Sequence, residues 1–76
     1  MPMEMELWPN PANSLVFFGY DEIQPERLDI YDIMGKTIYT GPWIQEFNVA
    51  GLESGIYFVL ATIGEESVVK RMEVIK

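Results

Sequence analysis

The sequence predicts an all-β protein, an immunoglobulin-like antiparallel β-sandwich of about seven short strands. Three observations support this fold class. Apolar residues recur with a period of two, turn-forming residues occur about every ten positions, and no segment carries a helical apolar stripe with caps. The 76 residues suffice for one small domain. A small β-barrel is the alternative that the same pattern allows.

The predicted strands follow one another with turn residues between them. Pro9 and Pro11 end the first strand, because proline lacks an N–H group and holds the preceding residue extended. Gly35 separates two alternating runs and predicts a tight hairpin, because glycine adopts positive φ without a steric penalty. The strands are expected at residues 3–7, 15–18, 28–31, 37–40, 44–49, 56–60 and 68–75.

Two of these strands have patterns that predict their surroundings. Residues 56–60 are apolar on both faces, which favours a central strand with protein on each side. Lys70 falls on the predicted inner face of the last strand. We therefore expect that strand at a sheet edge, where a lysine can extend its ammonium group into solvent.

Composition excludes several classes of function. Twelve acidic and five basic residues give a net charge of −7, and such a surface repels nucleic acid and anionic lipid, so no nucleic-acid partner is expected. The chain has no cysteine and no histidine, which removes disulfides, thiolate metal sites and the commonest general base. The last ten residues reverse the charge balance, with Lys70, Arg71 and Lys76 against Glu73.

Catalytic and metal-binding patterns are weak. The serines have no histidine or cysteine to activate them. Asp29 and Asp32 lie three apart on a predicted strand and point to opposite faces, unlike the paired acids of a glycosidase. Acidic turns at residues 21–22 and 65–66 could bind Ca²⁺, although their spacing is not that of an EF-hand. We predict no enzyme activity, no cofactor and no metal site.

The aromatic residues leave other functions open. Trp43, beside a Gly-Pro turn, is the best candidate for an exposed ring. An exposed aromatic patch around Trp43 or Tyr39 would be required of an adhesion or carbohydrate-binding sandwich on a surface protein. Most aromatic side chains of a sandwich belong to its core. A purely structural end-cap for an upstream enzyme would instead show a large apolar surface near the N-terminal edge.

Four segments together carry a family resemblance. Residues 7–13 hold an aromatic followed by Pro-Asn-Pro-Ala, residues 30–36 end on Gly-Lys, residues 49–59 contain Gly-Leu-Glu-Ser-Gly-Ile-Tyr, and residues 69–76 form a basic closing strand. In order and spacing they resemble the C-terminal sorting domains of the type IX secretion system. The motif positions are Pro9, Asn10, Pro11, Ala12, Gly35, Lys36, Leu52, Gly55, Ile56 and Tyr57.

The resemblance implies a sorting domain at residues 7–76, with residues 1–6 as an upstream remnant or an expression start. Such a domain directs an upstream passenger protein from the periplasm across the outer membrane, to the cell surface or the medium. Its implied partners are the type IX translocon and its shuttle components. A sortase-like peptidase normally removes the domain, which is therefore a substrate of that peptidase and not itself an enzyme.

A folded export signal must expose something that a receptor can read. A terminal edge strand offers unpaired backbone groups for this purpose. We predict that the export machinery recognises the closing segment, and the same edge could also pair with a second copy to form a homodimer. The alternative is that its basic residues only protect the edge from aggregation. The predicted recognition residues are Lys70, Arg71, Val74, Ile75 and Lys76.

Overall fold

The computed structural model describes residues 3–76, and it confirms the predicted all-β class. Within the described part of the chain there is no helix that could cross a membrane. Residues 3–76 form seven strands. They are β1 (Met5–Trp8), β2 (Leu15–Tyr20), β3 (Arg27–Asp32), β4 (Thr37–Pro42), β5 (Glu46–Asn48), β6 (Gly55–Ile63) and β7 (Glu66–Val74).

The strands form two separate antiparallel sheets, so the fold is a sandwich and not a barrel. The three-stranded sheet has the order β1-β2-β5, and the four-stranded sheet has the order β4-β3-β6-β7. β1 and β7 are therefore edge strands of different sheets. They lie against each other along one side of the sandwich without forming a ladder.

The core lies between the inner faces of the two sheets. Val16 and Val49 contribute from one side, and Leu28, Ile30 and Val59 from the other, all with no solvent exposure. Leu28 and Ile30 are two apart, as the period-two pattern predicted. Burying an aliphatic side chain of this size stabilises the fold by about 1.5–3 kcal/mol before the entropy cost is counted.

The N-terminal residues also belong to this core. Met5 begins β1, pairs with Tyr20 and is 1% exposed, and Met3 is 8% exposed. The expected boundary between residues 6 and 7 therefore falls inside β1. The origin of residues 1–6 stays a prediction, and residues 1 and 2 lie outside the described part of the chain.

β6 is internal to its sheet, because β3 and β7 pair with its two edges. Tyr57 and Val59 point into the core. Ile56, Phe58 and Leu60 alternate with them on the outer face, where Phe58 is 37% exposed. The prediction of protein on both faces of this strand is wrong, because a sandwich of two sheets covers only the inner face of each.

The β3–β4 hairpin has the predicted tight turn. Gly35 has a φ of +85°, and its N–H donates to the Asp32 carbonyl oxygen at 3.0 Å. The Asp32 carboxylate accepts hydrogen bonds from the backbone N–H of Met34 at 2.9 Å and of Lys36 at 2.8 Å. These bonds fix the backbone of the turn, while the Ile33 and Met34 side chains remain in solvent.

One end of the sandwich carries this hairpin turn and the C-terminus, and we call it the tip pole. Tyr57, near the start of β6, pairs with Asp32 on one side and with Met72 on the other. Because β6 begins at Gly55, the loop of residues 50–54 that leads into it lies at the same end.

The opposite end collects negative charge, and we call it the acidic pole. Arg27 pairs with Thr62 at the far end of β6. The start of β1 lies at this end too, because Met5 pairs with Tyr20. The Tyr20 ring packs edge-on against Trp43, and the backbone N–H of Trp43 donates to the carbonyl oxygen of Glu26, the residue before Arg27. The acidic pole holds Glu4, Asp21, Glu22, Glu26, Glu65 and Glu66.

Replacing Gly35 by alanine should destabilise the protein through the backbone alone. A Cβ at this position meets no atom within 4 Å, so the cost is that of holding an L-residue at positive φ, about 1–2 kcal/mol. Urea unfolding followed by tryptophan fluorescence measures the loss. Gly51→Ala is the matched control, because its Cβ also meets nothing and its φ is not positive. Equal stability of the two variants would contradict this account of the turn.

Candidate functional site

β7 carries most of the predicted recognition residues. It is the edge strand of the four-stranded sheet and pairs with β6 along its whole length. Lys70 and Arg71 are exposed, and Lys70 reaches solvent from the inner-face side of the strand, as a lysine at an edge can. The nine-residue ladder fixes the backbone from which both side chains extend.

The end of β7 is divided between the core and the surface. Val74 is 1% exposed and packs in the core with Met72, whereas Ile75 is 49% exposed. A direct role for Val74 in recognition would require its side chain to leave the core. Deleting residues 67–76 would remove both core side chains, so that deletion would unfold the domain as well as remove the basic charges.

Asn10 covers part of the open edge of β7 with its side chain. Its Nδ2 group donates to the Arg71 carbonyl oxygen at 3.0 Å, and the Glu73 N–H donates to its Oδ1 at 2.9 Å. The amide occupies the position that a peptide group of a neighbouring strand would take. The two bonds connect Asn10 to residues that lie 61 and 63 positions later in the sequence.

Ala12 continues this contact with its backbone. The Ala12 N–H donates to the Glu73 carbonyl at 2.9 Å, and its carbonyl accepts from the Ile75 N–H at 2.9 Å, forming an isolated parallel bridge opposite Val74. The Ala12 side chain is 2% exposed. We call residues 9–12 the clasp; the peptide bonds preceding its two prolines are cis. The clasp closes the β7 edge from Arg71 to Ile75.

The rest of the β7 edge faces a groove. Towards the acidic pole from the clasp, β1 and β7 lie side by side without pairing, which leaves a groove of about 480 Å³. The groove is lined by side chains of β1 and by Lys70 and Arg71 of β7, which we call the basic pair. Its lining residues are Glu6, Leu7, Trp8, Asn10, Lys70 and Arg71.

The basic residues differ in how far they are already engaged. The Lys76 N–H donates to Ser54 Oγ at 3.0 Å, and its ammonium donates to the Ala50 carbonyl, which ties the chain end to the loop of residues 50–54. Within residues 3–76 the only ion pair is the one between Arg27 and Asp29 at 3.3 Å. The charges of Lys70 and Arg71 thus have no acidic partner within the described part of the chain.

The third motif secures the loop that holds Lys76. Tyr57 is 6% exposed, and its hydroxyl donates to the Glu53 carbonyl at 2.7 Å. Burial raises the pKa of Tyr57, and the negative charges of Glu53 and Asp32 raise it further. The Leu52 N–H donates to the Val49 carbonyl, and the Leu52 side chain packs on the core. Ile56 is half-buried on the outer face, and Gly55 begins the strand.

The motif positions therefore meet at one end of the molecule. The clasp, the turn with Gly35 and Lys36, and residues 52–57 all lie at or beside the tip pole, around the last residues of the chain. Most of them hold the backbone in place. Lys36 is exposed and is the one charged side chain among them.

The acidic residues of β3 are structural. Asp29 is 7% exposed on the outer face, and its carboxylate accepts hydrogen bonds from Arg27 and from the Thr40 hydroxyl. Asp32 caps the hairpin turn instead. Among the described residues no group of three or more acidic side chains is placed to hold a metal ion.

The expected aromatic binding face is not present at Trp43 and Tyr39. Trp43 is half-buried, packs edge-on against Phe18 with ring centroids 6.2 Å apart, and keeps its indole nitrogen away from solvent without an acceptor. Tyr39 leans on Phe47 and donates its hydroxyl to the Pro42 carbonyl. Trp43 follows the expectation that most aromatic side chains of a sandwich pack inward, because the turn folds its indole ring onto the end of β2, and the alternative of an exposed stacking face at Trp43 is not supported.

Two of the exposed rings lie side by side on the outer face of the three-stranded sheet. Trp8 is 49% exposed and Phe17 is 37% exposed, with ring centroids 6.3 Å apart. The Trp8 indole covers Gly19, where an added Cβ would lie 3.1 Å from two ring atoms. The small residue and the large ring on neighbouring strands thus complement each other.

Asn10→Ala should loosen the edge of β7 without unfolding the domain. Two exposed hydrogen bonds are lost, which should lower the free energy of unfolding by about 1–2 kcal/mol. Amide hydrogen exchange should show the Glu73 N–H exchanging faster. Asn13→Ala is the control, since Asn13 is also exposed. An unchanged Glu73 exchange rate in the Asn10 variant would disprove the clasp.

Stability should fall in alkaline solution through Tyr57. The folded state binds the phenol proton more tightly than an unfolded tyrosine, whose pKa is about 10. This stabilisation is complete below about pH 10 and is lost as the pH rises through the raised pKa. The stability advantage of the wild type over Tyr57→Phe should therefore be constant from pH 8 to about pH 10 and shrink above it in urea unfolding. A constant difference between the two proteins would contradict the raised pKa.

Comparison with known proteins assigns the chain to a family. The family model described as the secretion system C-terminal sorting domain matches residues 6–76, which include the clasp, the hairpin turn and β7. No curated protein matches the sequence. The chain belongs to the C-terminal sorting domains of the type IX secretion system.

Proposed function

We propose that this domain is a non-catalytic signal that the type IX translocon and its shuttle components read to move an upstream passenger across the outer membrane. The family supports a sorting signal for export towards the cell surface or the medium. The observation that carries the proposal is β7, an edge strand that presents Lys70 and Arg71 on a fixed backbone without acidic partners among the described residues.

The proposed route begins in the periplasm. The passenger reaches it through its own N-terminal signal, and the folded domain is then recognised there. After translocation a sortase-like peptidase cuts upstream of the domain and releases the passenger to the surface or the medium. This is consistent with strand direction, because β1 starts at the acidic pole and a passenger ahead of it would be attached there.

Recognition in this proposal is electrostatic and depends on the fold. Lys70 and Arg71 would pair with carboxylates of a receptor, and the neighbouring groove between β1 and β7 gives that receptor access to unpaired backbone groups. Lys76 and Ile75 would add contacts at the tip pole, although the Lys76 ammonium is already bonded to the Ala50 carbonyl. Val74 would act from the core by keeping β7 in position.

A second copy of the chain is a further proposed partner. The clasp covers β7 from Arg71 to Ile75, so pairing through that edge would have to use the remaining stretch or displace the clasp. β4 is the opposite edge of the same sheet and is open in the described chain. Pro42 at its end removes one backbone donor and limits such pairing.

The export proposal is tested with a fluorescent protein that carries an inner-membrane export signal and this domain, expressed in a host with an intact type IX system. The wild-type fusion should reach the cell surface or the medium. Reversing both charges with Lys70→Glu and Arg71→Glu should reduce export about tenfold or more, as expected when about 1.4 kcal/mol of binding is lost.

The control for this experiment is the exchange Lys70→Arg with Arg71→Lys, which keeps both charges and should preserve export. Urea unfolding of each purified domain checks that the fold is retained. Normal export of the charge-reversed fusion would contradict electrostatic recognition. Lys70 and Arg71 would then serve only to protect the edge of β7 from aggregation. Retention of the wild-type fusion in the periplasm would contradict the export function itself.

A further inference from the structure

We propose that the β3–β4 hairpin turn is the apolar anchor of the domain, and that Ile33 and Met34 insert into an apolar pocket of an export-receptor protein whose rim carries carboxylates for Lys36. This rests on the proposed function, since it specifies the chemistry of the partner. It concerns a different surface from the basic pair of β7.

The exposure of these side chains has no explanation in the fold. Met34 is 87% exposed and Ile33 is 70% exposed, more than any other large apolar side chain in the described residues. Turn positions usually carry glycine, proline or small polar residues, which bond the local backbone. Two adjacent apolar side chains in solvent therefore favour a contact outside the domain.

The turn is organised before any partner binds. The Asp32 carboxylate accepts the N–H groups of Met34 and Lys36, and the Asp32 N–H donates to the Lys36 carbonyl at 2.9 Å. Gly35 supplies the positive φ that closes the turn. An anchor on a fixed backbone loses little conformational entropy on binding, which is the property of an efficient contact residue.

The position of the turn suits a domain that a receptor recognises while the passenger is still attached to it. The chain enters at the acidic pole, and the turn lies at the tip pole of a molecule whose longest dimension is 36 Å. A passenger ahead of β1 would leave the tip pole uncovered. Ile75, 49% exposed, is a separate exposed apolar side chain at the same pole, beside the clasp.

Charge indicates what should surround the receptor pocket. Lys36 is exposed beside the turn, and its ammonium has no acidic partner among the described residues. The acidic pole carries six carboxylates and the tip pole carries fewer, Asp32 and Glu53 among them, so an acidic receptor is repelled less at the tip pole and is attracted there by Lys36. A carboxylate rim would therefore orient the domain with the tip pole forward.

Two other occupants fit the turn less well. An anionic membrane would be repelled by the net charge of −7, and two side chains with one lysine give little membrane affinity. On a second copy, the groove at the acidic pole is lined by Glu4, Glu6, Tyr20 and Asp21 and is too polar for an aliphatic side chain.

The test compares two substitutions in the export fusion. Ile33→Ser with Met34→Ser should leave the urea unfolding midpoint unchanged, because neither side chain is buried, and should reduce export about tenfold. Ile23→Ser, at an exposed apolar position in the turn of the acidic pole, should export like the wild type. Lys36→Glu should reduce export, and Lys36→Arg should preserve it.

Each outcome decides the proposal. If the double variant is exported as well as the wild type, this proposal is overturned. The proposed function survives that result if the fusion with Lys70→Glu and Arg71→Glu still stays in the periplasm. Binding of the wild-type domain to phosphatidylglycerol vesicles that the double variant loses would assign the turn to lipid. Concentration-dependent dimers lost in that variant would assign it to a second copy, and either result overturns the receptor pocket. If the double variant unfolds, Met34→Gln alone must show the loss of export, and full export of that variant also overturns the proposal.

Discussion

The pairing of the clasp with β7 is the contact on which the rest of the molecule depends. Through it, residues near the start of the chain supply the hydrogen-bond partners for the last strand, at sequence separations of 61 and 63. A small domain with two sheets has open edges on both sides, and unpaired edge groups invite association with other chains. Here one side chain and one short backbone bridge close the edge beside the C-terminus, and the neighbouring Lys70 and Arg71 remain exposed.

β7 serves the core and the surface at once. Met72 and Val74 face inward with almost no exposure, while Lys70 and Arg71 project from the same ladder. Because a domain of this size buries a limited share of its surface, it cannot lose such a strand and remain folded. A receptor that binds the exposed edge of β7 therefore recognises a folded domain, and an unfolded chain would present none of this geometry.

The two ends of the domain differ in charge and in motif residues, and this difference would orient the domain on a receptor. Acidic side chains gather at the end where β1 begins, and the hairpin turn, Lys36 and the chain end gather at the other. The loop before β6 holds the Lys76 backbone through Ser54 and is itself held by the Tyr57 hydroxyl. Orientation and rigidity thus come from the same set of motif residues, since the contacts that fix the tip pole also set which charges face outward.

The sequence alone determined the strands, the Gly35 turn and the family, because alternation, positive φ and motif spacing are properties of neighbouring residues. It also placed Lys70 at an edge, since a charge on an inner face has no other stable position. Only the tertiary structure decided that Asn10 bonds β7, that Met3 and Met5 enter the core, and that Trp43 is folded inward. Those outcomes depend on contacts between segments far apart in the chain, which leave no periodic pattern in the sequence around either partner.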